Sequence, residues 1–234
     1  MLNTYDGVTI LIKQIQIAID GPAAAGKSTI AKIVAEELGY IYIDTGAMYR
    51  AITLKALNEG IDLADNREAG QLLARTEIDL YPSEHGQLVF LDGQDVTGKI
   101  RSQHVTQSVS EMAAHELVRI RMVEMQQQLA EGRGVVMDGR DIGTHVLPHA
   151  ALKVFMSASV EERARRRFEE NKKRNIEIPL EELQEEIALR DKMDSEREFA
   201  PLQRAEDAIF LDTTELTIKE AADAILKLAE ERLS

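Results

Sequence analysis

Five short apolar runs, each followed by sequence of helical character, restrict the fold of this chain more than any other feature. "IQIAID" (15–20), "YIYID" (40–44), "GVVMDGRD" (134–141), "ALKVFMSA" (151–158) and "AIFLD" (208–212) read as strands with little polar interruption. After the first of them, "STIAKIVAEEL" puts Ile30, Ile33, Val34 and Leu38 on one helical face before Gly39 ends it. Before the last helix, 218–233, Thr217 and Glu220 form a capping-box signature. Apolar strands alternating with helices imply a parallel sheet covered on both faces, a three-layer α/β fold. A chain of 234 residues is expected to form one globular unit with sub-domains. Its core must be aliphatic, since it has no tryptophan and only five Phe and five Tyr.

One interval breaks the rhythm. Between Ile78 and Val96, "IDLYPSEHGQLVFLDGQDV" alternates with period 2, with turn signals at Pro82-Ser83, His85-Gly86 and Asp92-Gly93. It predicts a small antiparallel insert outside the main sheet. The charged stretches 161–174 and 181–197 carry recurring aliphatic residues and predict solvated helices rather than disorder. At the N-terminus, "MLNTYDGVTILIK" has an acid where a signal peptide would be basic, and its apolar run Val8 to Ile12 is too short to span a bilayer. It is expected to lengthen the first strand or to fray, and a cytoplasmic protein without membrane attachment is expected.

Between the first strand and its helix lies "GPAAAGKST" (21–29), a complete match to G-x-x-x-x-G-K-S. Gly21 and Gly26 let the loop Gly21, Pro22, Ala23, Ala24, Ala25 turn its N–H groups inward onto phosphate oxygens. Lys27 then reaches the β and γ phosphates, and Ser28, ahead of Thr29, offers a hydroxyl for Mg²⁺ at the helix N-terminus. A nucleoside triphosphate is the expected ligand, and no tightly bound organic cofactor is expected. A guanine-reading N-K-x-D is absent, and so is the L-S-G-G-Q of transport ATPases.

What lies beside the phosphate is suggested by arginines. Arg50, Arg119, Arg140, Arg190 and Arg197 fall near loop positions, and guanidinium groups grip phosphate through two parallel hydrogen bonds. Within "LRDKMDSER", Arg190, Asp194 and Arg197 share one helix face at i, i+4 and i+7, while Asp191 points about 100° away. Asp138 closes an apolar strand at its carboxyl end, where open parallel sheets place ligand groups, and is positioned to hold a magnesium-bound water; Arg140 and Asp141 follow it. The formal net charge of −13 opposes a surface that tracks a nucleic-acid backbone, so bound anions must meet a local arginine cluster. Disulfides, thiolate metal sites and cysteine nucleophiles are excluded by the lack of cysteine, and His85, His104, His115, His145 and His149 lack metal-ligand spacing.

"GPAAAGKST", "DTGAMYRA", "IRSQHVTQSVSEMAA", "VVMDGRDIGT", "RDKMDSEREFAPL" and "IFLDTT" occur in the order seen in bacterial cytidylate kinases, and the chain resembles that family from about Gln16 onward. The resemblance implies a phosphate-loop kinase taking ATP with Mg²⁺ and phosphorylating CMP and dCMP. It implies that Arg50, Arg140 and Arg197 hold the phosphate of CMP, that Arg190 and Asp194 face its sugar, and that Thr45 lies near the substrate. By the same likeness Ser110, Arg119 and Asp141 read the base. Chemistry agrees: an acid accepts from the cytosine N4 amino group while an arginine donates to the ring edge, and uracil reverses that polarity. Likeness to nucleoside-monophosphate kinases further implies that Arg163 and Arg167, i and i+4 on one helix, pack on adenine and reach its phosphates.

The resemblance divides the chain into a core (about 14–44, 134–160 and 198–234), a monophosphate-binding sub-domain (about 45–133, insert about 77–97) and a helical lid (about 161–190) tipped by "ENKKRNIEIP". A monomer is expected. Ser110 and Arg119 are nine apart, on opposite sides of a continuous helix, so if both touch one base the helix from His104 to Gly132 must break near "AAHEL". A kinase for another acceptor, such as UMP or AMP, differs at the three base readers, and a nucleotide-dependent switch module needs no acceptor arginines.

Overall fold

The computed structural model describes residues 2–5, 8–11, 14–83, 86–173 and 175–234. Ile12, His85 with its expected turn, and Arg174 at the expected lid tip lie outside the described residues. Among the described residues the strands are β1 (Leu2–Tyr5), β2 (Val8–Leu11), β3 (Gln16–Asp20), β4 (Ile41–Asp44), β5 (Ile78–Ser83), β6 (Gly86–Leu91), β7 (Gln94–Asp95), β8 (Val135–Gly139), β9 (Leu152–Ser157) and β10 (Ile209–Asp212). The α-helices are α1 (Lys27–Leu38), α2 (Thr45–Glu59), α3 (Asn66–Ala74), α4 (Gln103–Met112), α5 (Glu116–Ala130), α6 (Val160–Lys173), α7 (Leu180–Glu196) and α8 (Ile218–Leu233).

All five expected core strands form and pair in parallel, in the order β10-β9-β3-β8-β4. Side-chain alternation builds the layers. Ile17, Ile19, Val136 and Val154 face Ile30, Val34, Ile225 and Ala229 of α1 and α8. Ala18, Val135 and Met137 point the other way, onto Ala130 of α5 and Ile142, Val146 and Leu147 after β8. Full burial of each Ile or Val contributes about 1.5–3 kcal/mol, so the sheet is a rigid floor. The register sets Asp138 beside Ile19 of β3 and Asp44 of β4, which brings acids from separate strands to the carboxyl edge where the phosphate loop begins.

The insert forms as β5-β6-β7, with Asp92 and Gly93 both left-handed in the two-residue β6–β7 turn. Pro82 does not turn the chain: β5 continues through it, opposite Gln87, because β5 is an edge strand where a missing N–H costs little. The N-terminal segment also departs from expectation, since β1 and β2 pair with each other as an antiparallel hairpin instead of lengthening the first core strand. A second core, including Met48, Ile52, Leu72, Val89, Ile100, Met112, Val118 and Met122, joins α2–α5 to the insert. A smaller one, of Ala164, Leu183 and Ile187, joins α6 to α7, and α7 runs unbroken past Arg190 to Glu196.

Candidate active site

The carboxyl ends of β3, β4 and β8 open into a cleft of about 950 Å³. On one wall the glycine loop leaves β3. Gly21 has φ 149°, and a Cβ there would lie 2.0 Å from the Met156 carbonyl oxygen, so only glycine lets the loop pass. Ala24 (φ 59°) and Gly26 (φ 87°) are left-handed, which curls the loop into α1, and residues 23–30 line the cleft. Lys27 donates to the Pro22 carbonyl at 2.7 Å. Burial, and then the nearby Arg140, push its ammonium well below the usual lysine range.

Ser28 and Asp138 meet at the carboxyl edge of the sheet, beside the phosphate loop, where the strand-end position of Asp138 was expected to put it. The Ser28 hydroxyl donates to one Asp138 carboxylate oxygen at 2.9 Å and Tyr42 donates to the other at 2.7 Å. Burial, with Asp44 close by, raises Asp138 to about 6. Thr45 donates to the Asp138 backbone oxygen at 2.8 Å and so pins the start of α2 to β8. Asp20 ends β3 and is buried, accepting from the backbone N–H groups of Ile142 and Gly143 at 2.8 and 2.7 Å. Burial lifts it to about 7 in spite of those bonds. A hydroxyl beside a carboxylate at a helix N-terminus is the hard-oxygen chemistry that suits Mg²⁺. Among the described residues no group of three or more His, Cys, Asp or Glu side chains can hold a metal alone, so such an ion would take its other ligands from phosphate and water.

Across the cleft the arginines converge. Asp44 caps α2 through the Ala47 N–H (2.9 Å), which directs Arg50 inward. Among the described residues the Arg50 guanidinium has no hydrogen bond or ion pair, and burial lowers its pKa despite Asp44. Arg140 leaves β8 and its Nε donates to Asp194 at 2.8 Å. Arg190 has a buried Nε with no partner among the described residues; burial, then repulsion from Arg140 and Arg50, push it down to about 9, still cationic at neutral pH. Arg197 donates from Nε to the Ala200 carbonyl at 2.6 Å, and burial, then Arg119, lower it to about 10. Asp194 is held below the usual carboxylate range: burial opposes this, but Arg140 and Arg190 outweigh it. Arg140, Arg190 and Arg197 surround Asp194, Arg197 also lies 3.8 Å from Asp141, and Arg50 stands near Asp44, so guanidinium groups outnumber the carboxylates between them and the excess positive charge suits an anion.

The expected helix break lies between α4 and α5, at residues 113–115. It brings Ser110 and Arg119 to one side: both line the cleft, with Ser110 Oγ 3.5 Å from Asp194. The break also frees the Ala113 carbonyl, which accepts from Arg119 at 3.0 Å. Arg119 is 1% exposed, lies over the Tyr49 ring at 5.3 Å and approaches Asp141 at 2.5 Å. The two form a buried ion pair at the edge of the cleft, and Asp141 also lies 3.8 Å from Arg197.

The lid helices give a different picture from the sequence reading. Arg167 lines the cleft, 3.5 Å from Glu170. Arg163 does not line it: 4% exposed, it is turned into the protein and spent on backbone carbonyls and Asp191. Its neighbour Arg166 takes the cleft position, bonded to Glu162 (2.8 Å), the Ala25 carbonyl and Thr213. The run Arg165-Arg166-Arg167 was visible, but its i, i+4 partner had to be chosen without knowing how α6 is rotated. Tyr42, Asp44 and Asp20 were also missed. Their only signal was a place at or near the carboxyl end of a strand.

Comparison with known proteins adds lineage to this geometry. The family model described as Cytidylate kinase matches residues 17–231. The cytidylate kinase of Lysinibacillus sphaericus is 66% identical over 221 residues, covering 94% of this chain and 99% of the relative. That of Bacillus subtilis is 60% identical over 220 residues, covering 94% and 98%. A crystal structure of an uncharacterized protein from Eubacterium ventriosum aligns with TM-score 0.52 at 14% identity over 93% of this chain and 99% of that one, a likeness of fold alone. Among the described residues no helix is long and apolar enough to cross a membrane.

Proposed function

The chain belongs to the cytidylate kinase family, and from that premise we propose that it transfers the γ-phosphate of ATP to CMP and dCMP, giving ADP and the cytidine diphosphate. The observation that carries this is the convergence of Arg50, Arg140, Arg190 and Arg197, three of them grouped on Asp194 and Arg50 without an ion pair among the described residues, facing a complete phosphate loop across one cleft. A switch protein that only binds ATP has no use for a second anion hole.

The acceptor oxygen of CMP is already anionic at neutral pH, so no general base is needed. It attacks the γ-phosphorus as the bond to the β–γ bridging oxygen breaks, and ADP carries away the electron pair. Rate then comes from alignment and charge neutralisation. Loop N–H groups and Lys27 take the triphosphate; Arg50, Arg140 and Arg197 hold the acceptor phosphate in line; Arg190 and Asp194 face the sugar, with Thr45 beside them. Asp141 accepts from cytosine N4, while Arg119 and Ser110 donate to the ring edge. Ser28, and Asp138 through water, would hold Mg²⁺, which when bound offsets charge on the ATP phosphates. Residues 45–133 form the acceptor sub-domain, and α6 with α7 the lid that excludes water, Arg167 and Arg166 meeting the ATP side. A monomeric cytoplasmic enzyme completes this reading.

The test is ADP release with ATP and Mg²⁺ over a panel of CMP, dCMP, UMP, AMP and GMP and a control without acceptor, for the wild type and Asp141→Asn. Turnover confined to the cytidine acceptors is expected, with selectivity over UMP narrowed about 10–100-fold in Asp141→Asn, the cost of one mispaired buried group. Equal turnover with UMP in the wild type removes the base assignment, and ADP release indifferent to acceptor removes the kinase.

A further inference from the structure

The phosphate loop is gripped from outside by the two lid helices. Ala23 offers its carbonyl to Arg163 Nη1 at 3.0 Å and its N–H to Asp191 Oδ1 at 3.4 Å, partners 140 and 168 residues further along the chain. The two side chains also meet each other, Nη2 to Oδ2 at 2.6 Å, and Arg163 Nε donates to the Ala158 carbonyl at 2.9 Å. This guanidinium is 4% exposed and committed to the protein on every side, so it is no solvated surface ion pair. We infer that Arg163 and Asp191 are positioning residues for ATP: a clamp on Ala23 that holds the phosphate loop in its anion-receiving shape and ties it to the helix carrying the acceptor contacts.

Two features give the clamp a function beyond packing. First, the residue after Ala23 is Ala24, left-handed at φ 59°, a conformation that an L-residue holds only when its surroundings impose it. Fixing both polar groups of Ala23 imposes the start of that turn, and the turn aims the following N–H groups inward. Second, α7 has two working faces. Asp191 faces the loop, while Asp194, on the acceptor face beside Arg190, pairs with Arg140 at 2.8 Å. A shift of α7 relative to the loop therefore breaks the clamp, so the loop is set for ATP only when α7 is seated.

This rests on the reading that the loop takes ATP, and the test separates the two. Binding of a non-hydrolysable ATP analogue and of CMP is measured by calorimetry on the full-length wild type, Lys27→Ala, Asp191→Ala and Arg163→Lys, with melting temperatures and with KM for each substrate. Both clamp variants are expected to bind the analogue about tenfold or more weakly and to raise KM for ATP, while CMP affinity stays within about twofold. If Asp191→Ala does not fold, Asp191→Asn carries the test, since its side-chain oxygen still accepts from Ala23 while the charge is lost; a loss of about threefold for the analogue alone is expected. Undiminished analogue binding in folded clamp variants, with Lys27→Ala impaired, overturns the clamp and leaves the ATP site intact. Equal loss of analogue and CMP binding also overturns it, because that is loosened packing. Analogue binding indifferent to Lys27→Ala overturns the ATP reading and the clamp with it.

Discussion

At Arg190 the demands of folding and of binding point in opposite directions. Its guanidinium is buried beside Arg50 and Arg140 with an unpartnered Nε among the described residues, so the unliganded protein bears the desolvation and the repulsion and regains them only when an anion binds. Arg190→Leu, which keeps an apolar stem and removes the charge, should therefore raise the melting temperature of the unliganded protein by a few degrees, about 2–4 °C per kcal/mol at this size. The same substitution should weaken CMP binding about 10–100-fold, the worth of one charge-assisted contact. Thermal unfolding and calorimetry on one preparation check both halves; a fall in both quantities would mean that Arg190 is a structural cation. Arg190 was legible in the sequence because several arginines fall near loop positions and "RDKMDSEREFAPL" resembles the family's motif; its helical spacing from an acid is by itself common on a solvated face. Arg163 shows the limit of that signal: its spacing from Arg167 was right for a shared face, but spacing does not say which face the lid turns to the cleft. Tyr42 was invisible because a tyrosine in a strand reads as core until its hydroxyl is seen to donate to Asp138.

Elements were easier to read than residues, because a helix or strand averages over many local choices. The capping box illustrates this: Thr217 accepts from the Glu220 N–H at 3.2 Å while Glu220 returns a bond to the Thr217 N–H at 2.9 Å, as the sequence required. Thr217→Ala should cost about 1 kcal/mol, seen as a melting temperature lower by about 2–4 °C. Thr217 lines the cleft, but among the described residues its side chain bonds only to α8's own first turn, so KM for CMP should not move. A steady-state titration with CMP checks that half. The α4–α5 break was legible for a different reason: two residues assigned to one base cannot lie on opposite sides of a cylinder. What no local pattern held was strand order. Placing β8 between β3 and β4 depends on which helices cover which face, a long-range packing choice, and that choice brings Asp138 next to the phosphate loop. Pro82 misled for the complementary reason, since whether a proline ends a strand depends on whether that strand lies at an edge.

Over the whole molecule, a net charge of −13 surrounds a cleft whose floor is held by buried acids. Burial raises Asp20 to about 7 and Asp138 to about 6, well above the 3.8 of a solvated aspartate. A carboxyl group whose folded pKa is raised binds its proton more tightly in the native state. Its contribution is fully present below the unfolded value near 3.8 and is lost as pH rises through the folded value. For Asp20 the loss falls between about pH 4 and pH 7 and should amount to at most about 4 kcal/mol. Asp20→Asn removes the titrating group but leaves one oxygen to accept from Ile142 or Gly143. Relaxed self-repulsion at lower pH, and the titration of Asp138, act on wild type and variant alike, so their difference isolates Asp20. Thermal unfolding of both unliganded proteins from about pH 5 to about pH 8 should show the wild type's advantage shrinking as pH rises. A constant difference would mean that Asp20 is already ionised throughout that range, its two N–H bonds outweighing burial.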